Sequence, residues 1–242
     1  MRLRWWYVAM LAALAAAAGG MLFLKSGKRQ EVQLVWERSQ LPAAITTSSP
    51  AASPALPSNE LNLSVPFMTQ APLVNWDALH EETCEEASVA MADAFFGRRT
   101  FTPQSAEDEL QALVAWQKKR FGYFESTTAE EVAIIIREYY GRTAEVTSEV
   151  TPERIKRELA AGHLIALPAY GKGLNPFFRN GGPLYHMLVI KGYTATRLIT
   201  NDPGTRHGQD YPYSYKQLIS AAHDWNNGDV PNGRKVMIII QP

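Results

Sequence analysis

Apolar and polar positions along this 242-residue chain change their pattern three times. Trp5 to Leu24 is a run of twenty residues without a charge, bounded by Arg2 and Arg4 before it and by Lys25, Lys28 and Arg29 after it. As a helix it would span about 30 Å, the thickness of a bilayer's hydrocarbon core. Residues 1–25 therefore read as a transmembrane signal anchor, with Trp5, Trp6 and Tyr7 at one interface. A cleavable signal peptide is the competing reading, because Ala-Leu-Ala-Ala-Ala-Ala-Gly offers small residues for cleavage. The apolar run continues past any cut through Met-Leu-Phe-Leu, which favours the anchor. Charge on the two flanks is too similar to fix the orientation. Either reading places the rest of the chain on an export route, as a single-pass membrane protein with an extracytoplasmic domain or as a secreted one.

The second pattern covers residues 26–60. Leu41 to Ser58 is nearly all Ala, Ser, Thr and Pro, a composition that buries too little surface to fold and that its prolines keep extended. It reads as a linker. From Leu61 onward the punctuation is that of a folded domain, 61–242. Leu61-Asn-Leu-Ser-Val65 alternates weakly and predicts a short strand. Helices are predicted at about 84–96, 106–120, 128–140 and 152–161, with Thr83, Ser105, Thr128 and Thr151 at their starts and Gly97, Gly122, Gly141 and Gly162 at their ends. Beyond residue 162 the spacing switches to strands, at 163–170, 186–193, 197–200 and 236–240, interrupted by one helix near 215–225. Helices segregated ahead of strands predict an α+β domain rather than a βαβ winding.

Composition changes this picture little. Hydrophobic residues make up 46% of the chain, enough for a real core, and the formal net charge is zero. Residues 1–60 hold six Lys/Arg against three acids, leaving eighteen basic and twenty-one acidic residues for the remainder. A mildly acidic domain without a basic run gives no electrostatic footprint for nucleic acid. The glycine motifs of phosphate and dinucleotide loops are absent, so no cofactor is expected. One cysteine excludes an intrachain disulfide.

That cysteine carries the candidate chemistry. In His80-Glu-Glu-Thr-Cys84-Glu-Glu-Ala-Ser88, Thr83 is predicted to cap a helix and Glu86 to bond back to it, which puts Cys84 at the first helical position. There the unpaired N–H groups and the helix dipole favour a thiolate. The competing reading is a small buried hydrophobe. Among five histidines, His186 is the best partner, because it opens the apolar strand His-Met-Leu-Val-Ile that would mount it rigidly; His80, His163, His207 and His223 lie in less suitable contexts. A third group, Asn201 or Asp202, ends the strand before the Pro203-Gly204 turn and could orient the ring; an Asx turn is the alternative use. The order cysteine, histidine, carboxylate is that of a thiol hydrolase. His80 and Cys84 with Glu81, Glu82, Glu85 and Glu86 form a dense donor cluster, but without the cysteine pair or helical histidine pair of zinc sites no metal is expected. The loop Gly171–Pro183, with Phe177 and Phe178, either walls a cleft beside His186 or plugs the core.

Several segments together resemble the peptidase C39-like family of papain-like cysteine hydrolases. They are Val65-Pro-Phe-Met-Thr-Gln-Ala-Pro72, Asn75-Trp-Asp77, Cys84-Glu-Glu-Ala-Ser88, Gly182-Pro-Leu-Tyr-His-Met-Leu-Val-Ile-Lys-Gly-Tyr193 and Ile199-Thr-Asn-Asp-Pro-Gly204. The resemblance covers about residues 63–225. It implies a helical half bearing the cysteine, packed on an antiparallel sheet bearing histidine and aspartate. It further implies Cys84 as nucleophile, His186 as general base, Asp202 as the orienting carboxylate and Gln70 as an oxyanion-hole donor beside the Cys84 N–H. Many members have glycine after the nucleophile; Glu85 stands there in this chain and is expected to raise the thiol's pKa. The expected activity is that of a membrane-tethered cysteine peptidase or amidohydrolase acting on a peptide or protein substrate. The alternatives are a non-catalytic peptide- or cell-wall-binding module on the same fold and a cell-wall amidase or transpeptidase.

Overall fold

The structure, a computed structural model, describes residues 27–46, 59–175 and 177–242. The chain divides into an N-terminal unit ending at Gln40 and a domain from Leu41 to Pro242. The charge-free run assigned to an anchor lies outside the described residues. Among those described, no helix is long and apolar enough to cross a membrane. In the N-terminal unit, residues 27–39 form helix α1, in which Gln33 Nε2 donates to Glu37 Oε1 at 3.0 Å. The charged start of the stretch read as a linker is thus helical, while much of its Ala/Ser/Thr/Pro part falls outside the described residues.

The domain is α+β. Helices α2 (Cys84–Phe96), α3 (Pro103–Arg120), α4 (Ala129–Glu138), α5 (Pro152–Ala160) and α6 (Tyr215–Ala221) accompany strands β1 (Leu61–Asn62), β2 (Thr143–Thr147), β3 (Leu164–Tyr170), β4 (Tyr185–Tyr193), β5 (Arg197–Asn201), β6 (Tyr211–Ser214) and β7 (Met237–Gln241). The strands form one antiparallel sheet in the order β2-β7-β3-β4-β5-β6, with β1 paired to β4. Every residue of β4 is buried, as are Met237 to Ile240 of β7. Successive side chains point to opposite faces, so these strands are covered on both sides, which is why they read as continuous apolar runs. Each fully buried Leu, Ile or Val contributes about 1.5–3 kcal/mol, and the sequence spends these residues on the strands that carry the site. β1 reaches β4 at Gly192, where a Cβ would lie 2.3 Å from the Leu61 carbonyl oxygen; only glycine permits that approach.

The helix punctuation works as predicted at Thr128 and Thr151, and Ser214 adds a cap that the sequence reading did not name. Thr128 forms a reciprocal capping box with Glu131, Thr151 accepts from the Arg154 N–H, and Ser214 accepts from the Gln217 N–H. Two starts differ. α3 begins earlier, with Thr102 as its cap and Ser105 as the reciprocating residue three positions on. At α2 there is no side-chain cap at all: Thr83 Oγ1 donates to the Gln70 carbonyl at 3.0 Å, and Glu86 turns to Gln117. The local capping pattern lost to longer-range partners. Strands β2 and β6, absent from the sequence expectation, lie at the two ends of the sheet.

Candidate active site

The helical half of the site is built on the first turn of α2. Cys84 is buried, and its thiol donates to Glu85 Oε2 at 3.0 Å. Glu85, also buried, accepts on Oε1 from the Thr127 N–H at 3.1 Å and from its hydroxyl at 3.4 Å. The Thr127 carbonyl in turn accepts from the Tyr185 hydroxyl at 2.9 Å. Glu86 accepts from the Gln117 amide, while Glu86 Oε2 and Gln117 Oε1 have no partner. Burial raises both carboxyls, Glu85 to about 7 and Glu86 well above the ordinary carboxylate range. A protonated Glu86 can donate from Oε2 to Gln117 Oε1, which satisfies both orphaned atoms with one proton. Burial, and after it the charge of Glu85, pushes the Cys84 thiol up; the Met187 N–H beside the sulfur works the other way.

The sheet half is bonded throughout. His186, on β4, places Nε2 2.8 Å from Asp202 Oδ1, immediately beyond β5. The Tyr213 hydroxyl, from β6, donates to Asp202 Oδ2 at 2.6 Å, and the Gly204 N–H donates to Oδ1 at 3.1 Å. With two donors already on the carboxylate, His186 Nε2 is assigned as the third, which leaves the lone pair on Nδ1. Asn201 takes a different course: its amide donates to the Val65 and Pro66 carbonyls at 3.1 and 3.3 Å. Asp202 therefore both orients the imidazole and closes an Asx-type turn through Gly204. A Cβ at Gly204 would meet Phe178 at 2.7 Å and His186 Cε1 at 2.9 Å. Phe178 packs edge-on to the His186 ring, with centroids 5.0 Å apart, and Phe177 stacks on His207 at 4.3 Å. The Gly171–Pro183 loop is thus both plug and wall, since the residue that closes it against the core also touches the imidazole.

Besides the bond from Tyr185 to Thr127, the halves meet at the sulfur and at Gln70. The Met187 N–H, next to His186 on β4, faces the Cys84 sulfur. Gln70 ties the turn after β5 to the start of α2: its N–H donates to the Pro203 carbonyl at 3.0 Å, and its own carbonyl accepts from Thr83. Its side-chain amide donates to the His80 and Glu81 carbonyls at 2.8 and 3.1 Å, and its Oε1 is buried without a partner. His80 lies between Asp77 Oδ1, at 2.7 Å, and Glu107 Oε2, at 3.0 Å. The donor cluster around Cys84 consequently diverges, with His80 and Glu86 turned to other partners and Glu85 facing the thiol. Among the described residues no group of three or more His, Cys, Asp or Glu could hold a metal ion. Sequence reasoning missed Tyr213, Tyr185 and Thr127 as members of this network. Only the aromatic pair in Tyr211-Pro-Tyr213 offered a signal, and it was not read as a strand.

With that geometry in place, the relatives become informative. Residues 62–228, more than half of the chain, match the Peptidase_C39 like family, and the chain belongs to it. Its fold is the papain-like α+β arrangement, with a helix bearing Cys84 packed on an antiparallel sheet bearing His186 and Asp202. The chain is also similar to the crystal structure of a Bacillus anthracis protein assigned as a C39-like peptidase, at 15% identity and a TM-score of 0.49 over 76% of this chain and 98% of that one. No curated protein matches it.

Proposed function

We propose that the protein is a membrane-tethered, extracytoplasmic cysteine peptidase or amidohydrolase. The observation that carries this reading is the bonding of His186: Asp202, itself held by Tyr213, occupies the Nε2 side, which assigns Nδ1 as the basic atom, one residue from the N–H that faces the Cys84 sulfur. In the reaction, the S–H bond of Cys84 breaks as Nδ1 of His186 takes the proton, and the sulfur attacks the substrate carbonyl carbon. The resulting oxyanion is held by the Cys84 N–H, which has no intrahelical acceptor at the start of α2. Gln70 contributes its amide by exchanging the Glu81 carbonyl, the longer of its two bonds, for the oxyanion. His186 then returns its proton to the leaving amine, and water, deprotonated by the same Nδ1, releases the acyl group from sulfur.

Peptide or protein bonds are the substrate class that the family supports. The tether is the charge-free run before Lys25, with the domain on the export side. The test is turnover of a pool of quenched fluorescent peptides by wild type and Cys84→Ala. Activity abolished in the variant, with a melting temperature within about 2 °C of wild type, is expected; full activity in Cys84→Ala overturns the proposal. The bond between the thiol and Glu85 favours a second reading, a module that holds a peptide in the same cleft without cleaving it. That reading predicts peptide binding unaffected by Cys84→Ala and no turnover by wild type.

A further inference from the structure

Glu85 is a buried carboxyl that the proposed reaction does not use. It lies 3.0 Å from the nucleophile's sulfur, and its other oxygen is pinned by the Thr127 N–H. Thr127 is itself held by Tyr185, the neighbour of His186 on β4. A closed ring therefore runs from Cys84 through Glu85, Thr127 and Tyr185 to the strand that carries the base. An oxygen and a sulfur 3.0 Å apart and shielded from water require a proton between them, because a thiolate and a carboxylate cannot share that space.

We propose that Glu85 is a positioning residue for Cys84, and that its carboxyl must itself carry a proton before Cys84 can become a thiolate. This rests on the reading of Cys84 as nucleophile and His186 as base. In the resting pair the S–H donates to an ionised Glu85. Glu85 takes up one proton from solvent to form an O–H bond; the S–H then passes its proton to His186 Nδ1, and the Glu85 O–H turns to donate to the thiolate. No oxidant or further reactant is needed.

The groups that act on Glu85 agree with this order. Glu82, just before α2, acts on Glu85 with its negative charge; Glu85 acts in turn on Glu86 of α2 and on Tyr185 of β4, and Glu125, in the loop before α4, bears on Glu82 and Glu86. Burial is the largest influence and holds Glu85 near neutrality, where it can change state under ordinary conditions. Below that point the carboxyl is neutral and supports a thiolate; above it, the ionised carboxyl keeps the thiol protonated.

The experiment is the pH dependence of iodoacetamide alkylation of the full-length chain, in wild type and Glu85→Gln, with thermal melting of both. The expected result is a thiol that titrates at least one pH unit lower in Glu85→Gln and is alkylated tenfold or more faster at pH 7. Superimposable profiles from two folded proteins overturn the proposal. Should Glu85→Gln not fold, the wild-type profile decides: two steps are expected from a pair sharing one proton, and a single step overturns it. Alkylation needs no substrate. A shifted Glu85→Gln profile without peptide turnover by wild type leaves this assignment and removes hydrolysis, and turnover with an unshifted profile does the reverse.

Discussion

On the sheet, His186 Nε2, both oxygens of Asp202 and the Tyr213 hydroxyl each have a partner, within 2.6 to 3.1 Å. On the helix, the first turn of α2 buries two adjacent carboxyls with no cation bonded to either among the described residues, where Glu86 Oε2, Ser88 Oγ and Gln117 Oε1 also have no partner. Both regions are fully buried, so the difference is one of electrostatics and not of exposure. A satisfied network fixes one geometry and one tautomer. A protonated, partly satisfied one has alternative states that differ by a single proton. On the proposed reading, the base His186 is set by rigid structure, and the nucleophile Cys84 by where a proton resides.

The most damaging way to break the sheet side is Asp202→Ala. Alanine leaves the three donors now on Asp202, namely His186 Nε2, the Gly204 N–H and the Tyr213 hydroxyl, without their acceptor, and frees the imidazole to take either tautomer. Loss of the orienting carboxylate from a serine-protease triad removes about 10⁴-fold of kcat, and a loss of about 10³–10⁴-fold in peptide turnover is expected here. Steady-state kinetics check it; a loss below tenfold would mean that Asp202 only closes its turn.

Gly204→Ala tests the packing that holds the ring. The added methyl would lie 2.7 Å from Phe178 and 2.9 Å from His186, so one of the two aromatic rings must move. Overpacking of this kind costs about 1–3 kcal/mol, and turnover should fall by about 10²-fold as Nδ1 is displaced. A lowered melting temperature together with lost activity is the expected signature. Tyr213→Phe is milder. It deletes one donor to a buried carboxylate, at a cost of about 1.5–3 kcal/mol, but the His186 bond to Asp202 remains, so turnover should fall by only about tenfold. An unchanged melting temperature would show that Asp202 finds another donor.

How far these features were legible follows the range of the contacts. The starts of α4 and α5 were readable because a threonine accepts from the N–H three positions on, with a return bond from Glu131 at α4. The same pattern misled at Thr83, because Gln70 and Gln117, thirteen and thirty-one residues away from their partners, won both side chains. β4 and β7 announced themselves as apolar runs. β2 did not, since its exposed alternate positions read as loop until pairing with β7 defines it. β6 carries Pro212, tolerable only because the strand lies at the sheet's end. Cys84 and His186 stood out by chemistry and order, the third group only as Asn201 or Asp202, and family resemblance alone singled out Asp202 and Gln70. The bond from Glu85 to Thr127, forty-two residues apart, has no sequence signature at all.

The smallest expected effect is also the sharpest test of the helix side. Burial holds the carboxyl of Glu86 well above its ordinary value, so the folded chain keeps a proton there that the unfolded chain releases once the pH passes about 4.5. The sign follows from the proton count. Between the unfolded and folded values the native state binds more protons, so stability falls as pH rises, by at most about 1.4 kcal/mol per pH unit for one group. Glu85, raised to about 7 by the same burial, adds to this slope up to that pH and not beyond it. Glu86→Gln cannot ionise, keeps the shape and can still donate to Gln117. It should therefore leave the melting temperature at pH 5 within about 2 °C of wild type and flatten its decline above pH 7, where Glu85 no longer contributes. A decline as steep as in wild type would mean that Glu86 is ionised in the folded protein and that the orphaned oxygens of Glu86 and Gln117 are not bridged by its proton.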